Sequence, residues 1–125
     1  QSDVIVLLLP LTAETAGVFG AAEFAAMKDS ATLINLARGG IVDERALLVA
    51  LEDGAIAGAI FDVFEEEPLP AESPLWDAPN LWITPHTAGG FSDLLERAIA
   101  GFAENVRKME RGEAVSNRID REQGY

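Results

Sequence analysis

Apolar residues fall along this chain in short blocks whose spacing alternates between two periods. Val4-Ile5-Val6-Leu7-Leu8-Leu9 is continuously apolar, follows Ser2-Asp3 and is stopped by Pro10. Such a run predicts a strand buried on both faces, as in parallel sheets. Ala21 to Lys28 is Ala-rich, with Phe24 and Met27 at helical spacing, and Thr32-Leu33-Ile34-Asn35 predicts a second strand. Asp43 is placed to cap a helix through Leu47, Leu48 and Leu51, and Gly54 to end it. Ile56 to Asp62 predicts a third strand in which Gly58 allows a close approach. Pro68, Pro70, Pro74 and Pro79 make a stiff loop around Trp76, and Leu81 to Thr84 predicts a fourth strand. Strands alternating with helices imply an α/β fold with a parallel sheet and right-handed crossovers.

The period changes after residue 91. From Ser92 to Arg111, Leu95, Ala98, Ile99, Phe102, Val106 and Met109 recur on one helical stripe. They predict a single amphipathic helix, about 30 Å long. Gly112 marks its end, and the polar stretch Ser116 to Tyr125 is expected on the surface. The chain therefore divides into an α/β part, 1–91, and a helix with its tail, 92–125.

Composition narrows the classes. With 125 residues, 49% of them apolar, the chain can build one packed domain. The net charge of −12 repels phosphate backbones and argues against a nucleic-acid partner. The longest apolar run, Val4 to Leu11, is too short to span a bilayer, so no membrane partner is expected. Absence of cysteine removes thiolate metal sites, and no metal site is expected. Together with the lack of a secretory signal pattern, it fits a cytoplasmic protein.

Open parallel sheets bind ligands beyond the carboxyl ends of their strands. Pro10 and Thr12 follow the first strand, Ala37 and Arg38 the second, Asp62 ends the third, and Pro85 and the sole histidine, His86, follow the fourth. An arginine can grip a carboxylate with two parallel hydrogen bonds, a histidine can deliver a proton near neutral pH, and a glutamate can hold that histidine. Each residue alone has a plainer reading. Arg38 could be a solvated turn arginine, His86 a hydrogen-bonded strand-end histidine, Asp62 a turn cap and Glu65-Glu66-Glu67 a solvated run. Trp76 and Trp82 read as packing residues, with pocket lining as a second reading for Trp76. Four distinctive groups at one sheet edge favour chemistry over chance.

Three segments carry a resemblance: Asn35-Leu36-Ala37-Arg38-Gly39-Gly40-Ile41-Val42-Asp43-Glu44-Arg45-Ala46-Leu47, Phe61-Asp62-Val63-Phe64 leading to Glu67-Pro68-Leu69, and Pro74-Leu75-Trp76 to Ile83-Thr84-Pro85-His86. In this order and spacing the chain resembles the D-isomer-specific 2-hydroxyacid dehydrogenases over nearly its whole length. The resemblance implies a catalytic set of Arg38 on the substrate carboxylate and carbonyl, His86 as proton donor and Glu67 as its partner. Glu67 also sets the chain apart from formate dehydrogenases, which carry glutamine there. NAD or NADP contacts map onto Leu9, Pro10, Leu36, Ala37, Arg38, Asp62, His86, Thr87, Ala88 and Gly89. The implied substrate is a small 2-oxo acid such as glyoxylate or hydroxypyruvate, and the implied assembly is a homodimer.

No Gly-x-Gly-x-x-Gly stands in the sequence. The resemblance thus implies the C-terminal half of a doubly wound, Rossmann-type dinucleotide-binding domain plus the long C-terminal helix, belonging to a longer enzyme. A dinucleotide-sensing scaffold of the same fold, like the C-terminal-binding-protein corepressors, and an inactive remnant are the competing readings.

Overall fold

The computed structural model of this chain describes residues 2–122. It divides into two compact units, Gln1–Ala88 and Gly89–Tyr125. In the first, strands β1 (Val4–Leu7), β2 (Thr32–Asn35), β3 (Gly58–Phe61) and β4 (Leu81–Ile83) pair in parallel, in that spatial order. Helices α1 (Ala21–Ala26) and α2 (Glu44–Glu52) fill the first two crossovers, and a short 3₁₀ turn at Pro74–Asp77 lies in the third.

Register decides which side chains reach the core. Ile5, Leu33, Ala59 and Leu81 form one row across the sheet, and Leu7, Asn35, Phe61 and Ile83 the next. The apolar members of both rows pack with Phe24 of α1 and with Leu47, Ala50 and Leu51 of α2. Full burial of side chains such as Leu33, Leu47 and Phe61 contributes about 1.5–3 kcal/mol each. The alternate row, Val6-Ile34-Ile60-Trp82, projects to the opposite face.

That opposite face corrects two expectations. Val4 and Val6 are exposed, so β1 is not covered on both faces, and Trp82, at 73% exposure, is not a packing residue. The apolar run correctly marks two apolar faces, but β1 is an edge strand and the helices of this unit cover only one side of the sheet.

Element ends also move. β1 stops at Leu7 rather than Leu9, where its pairing with β2 ends at Asn35. β3 runs only from Gly58 to Phe61, β4 ends at Ile83 and α1 at Ala26, each shorter than the apolar pattern, although single backbone bonds from the Asp62 amide to the Asn35 carbonyl (3.0 Å) and from the Thr84 amide to the Phe61 carbonyl (3.0 Å) continue past the strand ends. α2 is as expected: the Asp43 carboxylate accepts from the amides of Arg45 (2.9 Å) and Ala46 (3.1 Å), and Gly54 follows at φ +65°.

The second unit holds α3 (Leu94–Glu110), two residues later in starting and one earlier in ending than expected. Leu95, Phe102 and Met109 on its apolar stripe are exposed. Of the expected surface tail, Gln123, Gly124 and Tyr125 lie outside the described residues. No helix among the described residues is long and apolar enough to cross a membrane.

Candidate active site

The loop after β4 is built around one carboxylate. Asp62, just beyond β3 and only 2% exposed, accepts at Oδ1 from the Thr84 hydroxyl and the Thr87 amide (2.9 Å), and at Oδ2 from the Ala88 amide (2.8 Å). Burial pushes the Asp62 carboxyl up, but these three donors outweigh it and hold the group below its ordinary value. His86 lies inside the turn so formed, at φ +54°, a left-handed conformation uncommon for residues other than glycine. The bonds to Asp62 on both sides of His86 hold it there.

A second carboxylate reaches the imidazole from the acidic corner. Glu67 Oε2 lies 2.7 Å from His86 Nδ1, and Glu67 Oε1 accepts from the Phe64 amide at 2.9 Å. The bond with His86 is the main reason that the Glu67 carboxyl lies below its ordinary value, and the Phe64 amide adds to it. Glu67 is therefore not part of a freely solvated run. Nδ1 is committed to Glu67, which leaves Nε2 with no hydrogen-bond partner among the described residues. An imidazole held in this way presents one defined nitrogen for proton transfer.

These groups border a cavity of about 660 Å³, whose apolar wall includes Leu69, Trp76, Ile83 and Pro85. Trp76 thus follows its second reading as a lining residue, anchored by its indole N–H on the Pro70 carbonyl (2.8 Å). Such a combination, mostly apolar with a few convergent polar groups, suits a small organic ligand.

Arg38 stands apart from that cavity wall. It is exposed, and its Nη1 donates to the carbonyl of Ala37 at 2.7 Å. Its backbone is nevertheless tied to the acidic corner through Gly39. A Cβ on Gly39 would fall 1.8 Å from the Phe64 carbonyl oxygen, so only glycine lets the Arg38 turn lie directly on the Phe64–Glu65 peptide. Buried Asn35 shapes the same turn by accepting from the Ala37 amide at 3.1 Å. Of the other expected cofactor contacts, Leu9 and Pro10 are exposed beyond β1, Leu36 is half-buried and Ala37 buried. Thr87 and Ala88 present their amides to Asp62, and Gly89 opens the second unit.

The family profile described as D-isomer specific 2-hydroxyacid dehydrogenase, NAD binding domain, matches residues 1–88. The chain belongs to this family. It is 47% identical over 122 residues to glyoxylate/hydroxypyruvate reductase A of Klebsiella pneumoniae, covering 98% of this chain and 38% of that protein. The protein of the same name from Escherichia fergusonii is 43% identical over 125 residues, covering 39% of its length. The chain thus spans about two-fifths of the curated relatives it matches. Among solved structures, a D-isomer specific 2-hydroxyacid dehydrogenase from Xanthobacter autotrophicus Py2, in complex with NADPH and MES, superposes with a TM-score of 0.90 at 45% identity. That match covers 99% of this chain and 50% of the other. An NADPH-dependent glyoxylate/hydroxypyruvate reductase from Sinorhizobium meliloti, in complex with NADP and sulfate, gives 0.90 at 38% identity, covering 99% and 40%. The family and its Rossmann-type half-sheet are as the sequence resemblance implied.

Two participants escaped the sequence reading. Asn35 stands in the sequence as a strand residue and as the first residue of the Arg38 motif, with no role of its own, although an asparagine at a strand end before Leu-Ala-Arg-Gly-Gly is a turn signal. Glu44 carried no local sign at all: its Oε1 accepts from the Glu65 amide at 2.6 Å, 21 residues away.

Proposed function

We propose that this chain supplies the proton donor, the substrate clamp and part of the cofactor site of an NAD(P)-dependent D-2-hydroxyacid dehydrogenase that reduces a small 2-oxo acid, such as glyoxylate or hydroxypyruvate. The observation that carries this reading is the 2.7 Å contact of Glu67 with Nδ1 of the sole histidine, at the edge of an apolar cavity.

His86 donates its Nε2 proton to the substrate oxygen as charge develops there. Glu67 holds Nδ1 and so orients the ring with Nε2 toward the substrate. Arg38 takes the substrate carboxylate in a two-point grip and stabilises the oxyanion. Trp76, Ile83 and Pro85 offer an apolar wall beside the reacting centre.

A nicotinamide dinucleotide, when bound, supplies the hydride. The residues present fit that group in one specific respect: Asp62 Oδ2 accepts from a single amide, which leaves acceptor capacity on a carboxylate otherwise saturated by the chain. Leu9, Pro10, Leu36, Ala37, Arg38 and the stretch His86 to Gly89 are the remaining contacts that the family resemblance supports. The NADPH and NADP held by the two solved relatives support NADPH as the first cofactor to test. As in the family reading, the working protein is a cytoplasmic homodimer.

The test is a chimera in which these 125 residues replace the matching segment of the Klebsiella pneumoniae reductase. Oxidation of NADPH or NADH that depends on glyoxylate or hydroxypyruvate, and is lost in His86→Ala with dinucleotide binding retained, supports the assignment. Full turnover by the His86→Ala chimera contradicts it.

A further inference from the structure

Glu44 begins α2 immediately after the capping Asp43, whose carboxylate serves the helix by accepting from the Arg45 and Ala46 amides. Its own carboxylate leaves the helix and crosses to the Glu65 amide. That rotamer is opposed electrostatically. Burial pushes the Glu44 carboxyl up, the Glu65 amide opposes the rise, and the charges on Glu65 and Glu67 add to it. A glutamate with no task at this point would turn toward water and away from two like charges.

The same peptide is held from a second direction. The Phe64–Glu65 unit lies against Gly39, too close for any side chain there, while Glu44 takes its N–H. One residue earlier, the Phe64 amide donates to Glu67 Oε1, and Glu67 Oε2 meets the imidazole. A chain of contacts therefore runs from Glu44 through the Glu65 amide and the Phe64 amide to Glu67 and His86. Arg38 precedes the Gly39 that lies against this peptide.

We infer that Glu44 is a positioning residue: by accepting the Glu65 amide it sets the 64–67 turn that aims Glu67 at Nδ1 of His86. This rests on the reductase reading above for its catalytic consequence, but not for its structural one. A tilt of the turn by about 1 Å would cost a large factor in turnover without removing any group that binds substrate.

The test separates the hydrogen bond from the charge. Glu44→Gln keeps a carbonyl acceptor and loses the charge; Glu44→Ala loses both. If Glu44→Ala fails to fold, Glu44→Met, of similar length and with no comparable acceptor, takes its place. The first readout is the long-range ¹H–¹⁵N correlation of the imidazole in the 125-residue chain, unambiguous because the chain has one histidine. The expected result is a neutral ring protonated at Nδ1 in the parent and in Glu44→Gln, and a mixture of tautomers in Glu44→Ala. The second readout is kinetics in the chimera. There kcat should fall about tenfold or more in Glu44→Ala, with KM for the 2-oxo acid within about twofold and Glu44→Gln close to the parent. An unchanged imidazole pattern in Glu44→Ala overturns the inference, as does a Glu44→Gln variant impaired as much as Glu44→Ala. A chimera inactive with the parent sequence counts against the reductase reading alone, because the imidazole pattern still decides the role of Glu44.

Discussion

Replacing Asp62 by asparagine is the most informative single change in the loop that carries His86. In the parent, both carboxylate oxygens accept from the chain: the Thr84 hydroxyl and Thr87 amide at one, the Ala88 amide at the other. Asparagine keeps one oxygen and turns an N–H₂ toward a donor at the other position. At least one hydrogen bond to a charged group is lost, worth about 1.5–3 kcal/mol. Thr87 and Ala88 are themselves exposed, so water can recover part of the loss and the lower half of that range is expected.

The pH dependence follows from the direction of the Asp62 shift. Its folded value lies below the ordinary one, so its contribution to stability is present above the unfolded value and is lost as pH falls through the folded value. Urea unfolding of the 125-residue chain, followed by tryptophan fluorescence, should show Asp62→Asn less stable near pH 7. The difference should close as pH falls below about 4. Equal stability at neutral pH, or a gap that persists unchanged into acid, would refute the view that the Asp62 carboxylate organises this loop.

Further outcomes test the neighbouring parts. Arg38→Lys in the chimera should lower kcat/KM by a factor corresponding to about 2–4 kcal/mol, since lysine lacks the planar two-point grip; near-parent kinetics would remove Arg38 from that role. Gly39→Ala should destabilise the chain by about 2–4 kcal/mol, because its Cβ meets the Phe64 carbonyl at 1.8 Å; an unfolding midpoint equal to the parent's would show that the contact yields easily. His86→Ala should return the Glu67 carboxyl toward its ordinary value, seen as a higher ¹³C titration midpoint, since the bond from His86 is the main cause of its depression. An unmoved midpoint would argue against the pairing.

Most of the scaffold is legible in the sequence because its signals are local. Asp43 and Gly54 bracket α2 within eleven residues of each other, and the apolar blocks at Val4, Thr32 and Leu81 locate their strands. The gathering of Asp62 and His86 at one sheet edge also follows from strand order. What local pattern cannot supply is the partner of a polar group on a distant segment. Asp62 bonds to residues up to 26 positions away and Glu44 to one 21 away, and neither spacing belongs to a helix or strand. The Glu67–His86 pair, 19 residues apart, was reached through family resemblance rather than spacing. Trp82 misled because an aromatic on a strand reports a face that is apolar, not whether anything in this chain covers it.

The proposed chemistry depends on one oriented imidazole, whose tautomer tests it most directly. With Nδ1 donating to Glu67, the neutral ring of His86 should carry its proton on Nδ1 and present a bare Nε2. The long-range ¹H–¹⁵N spectrum of the single histidine should show that tautomer in the parent chain above neutral pH and lose it in Glu67→Ala. A parent ring protonated on Nε2 instead, unchanged by Glu67→Ala, would contradict the pairing from which the proposed chemistry follows.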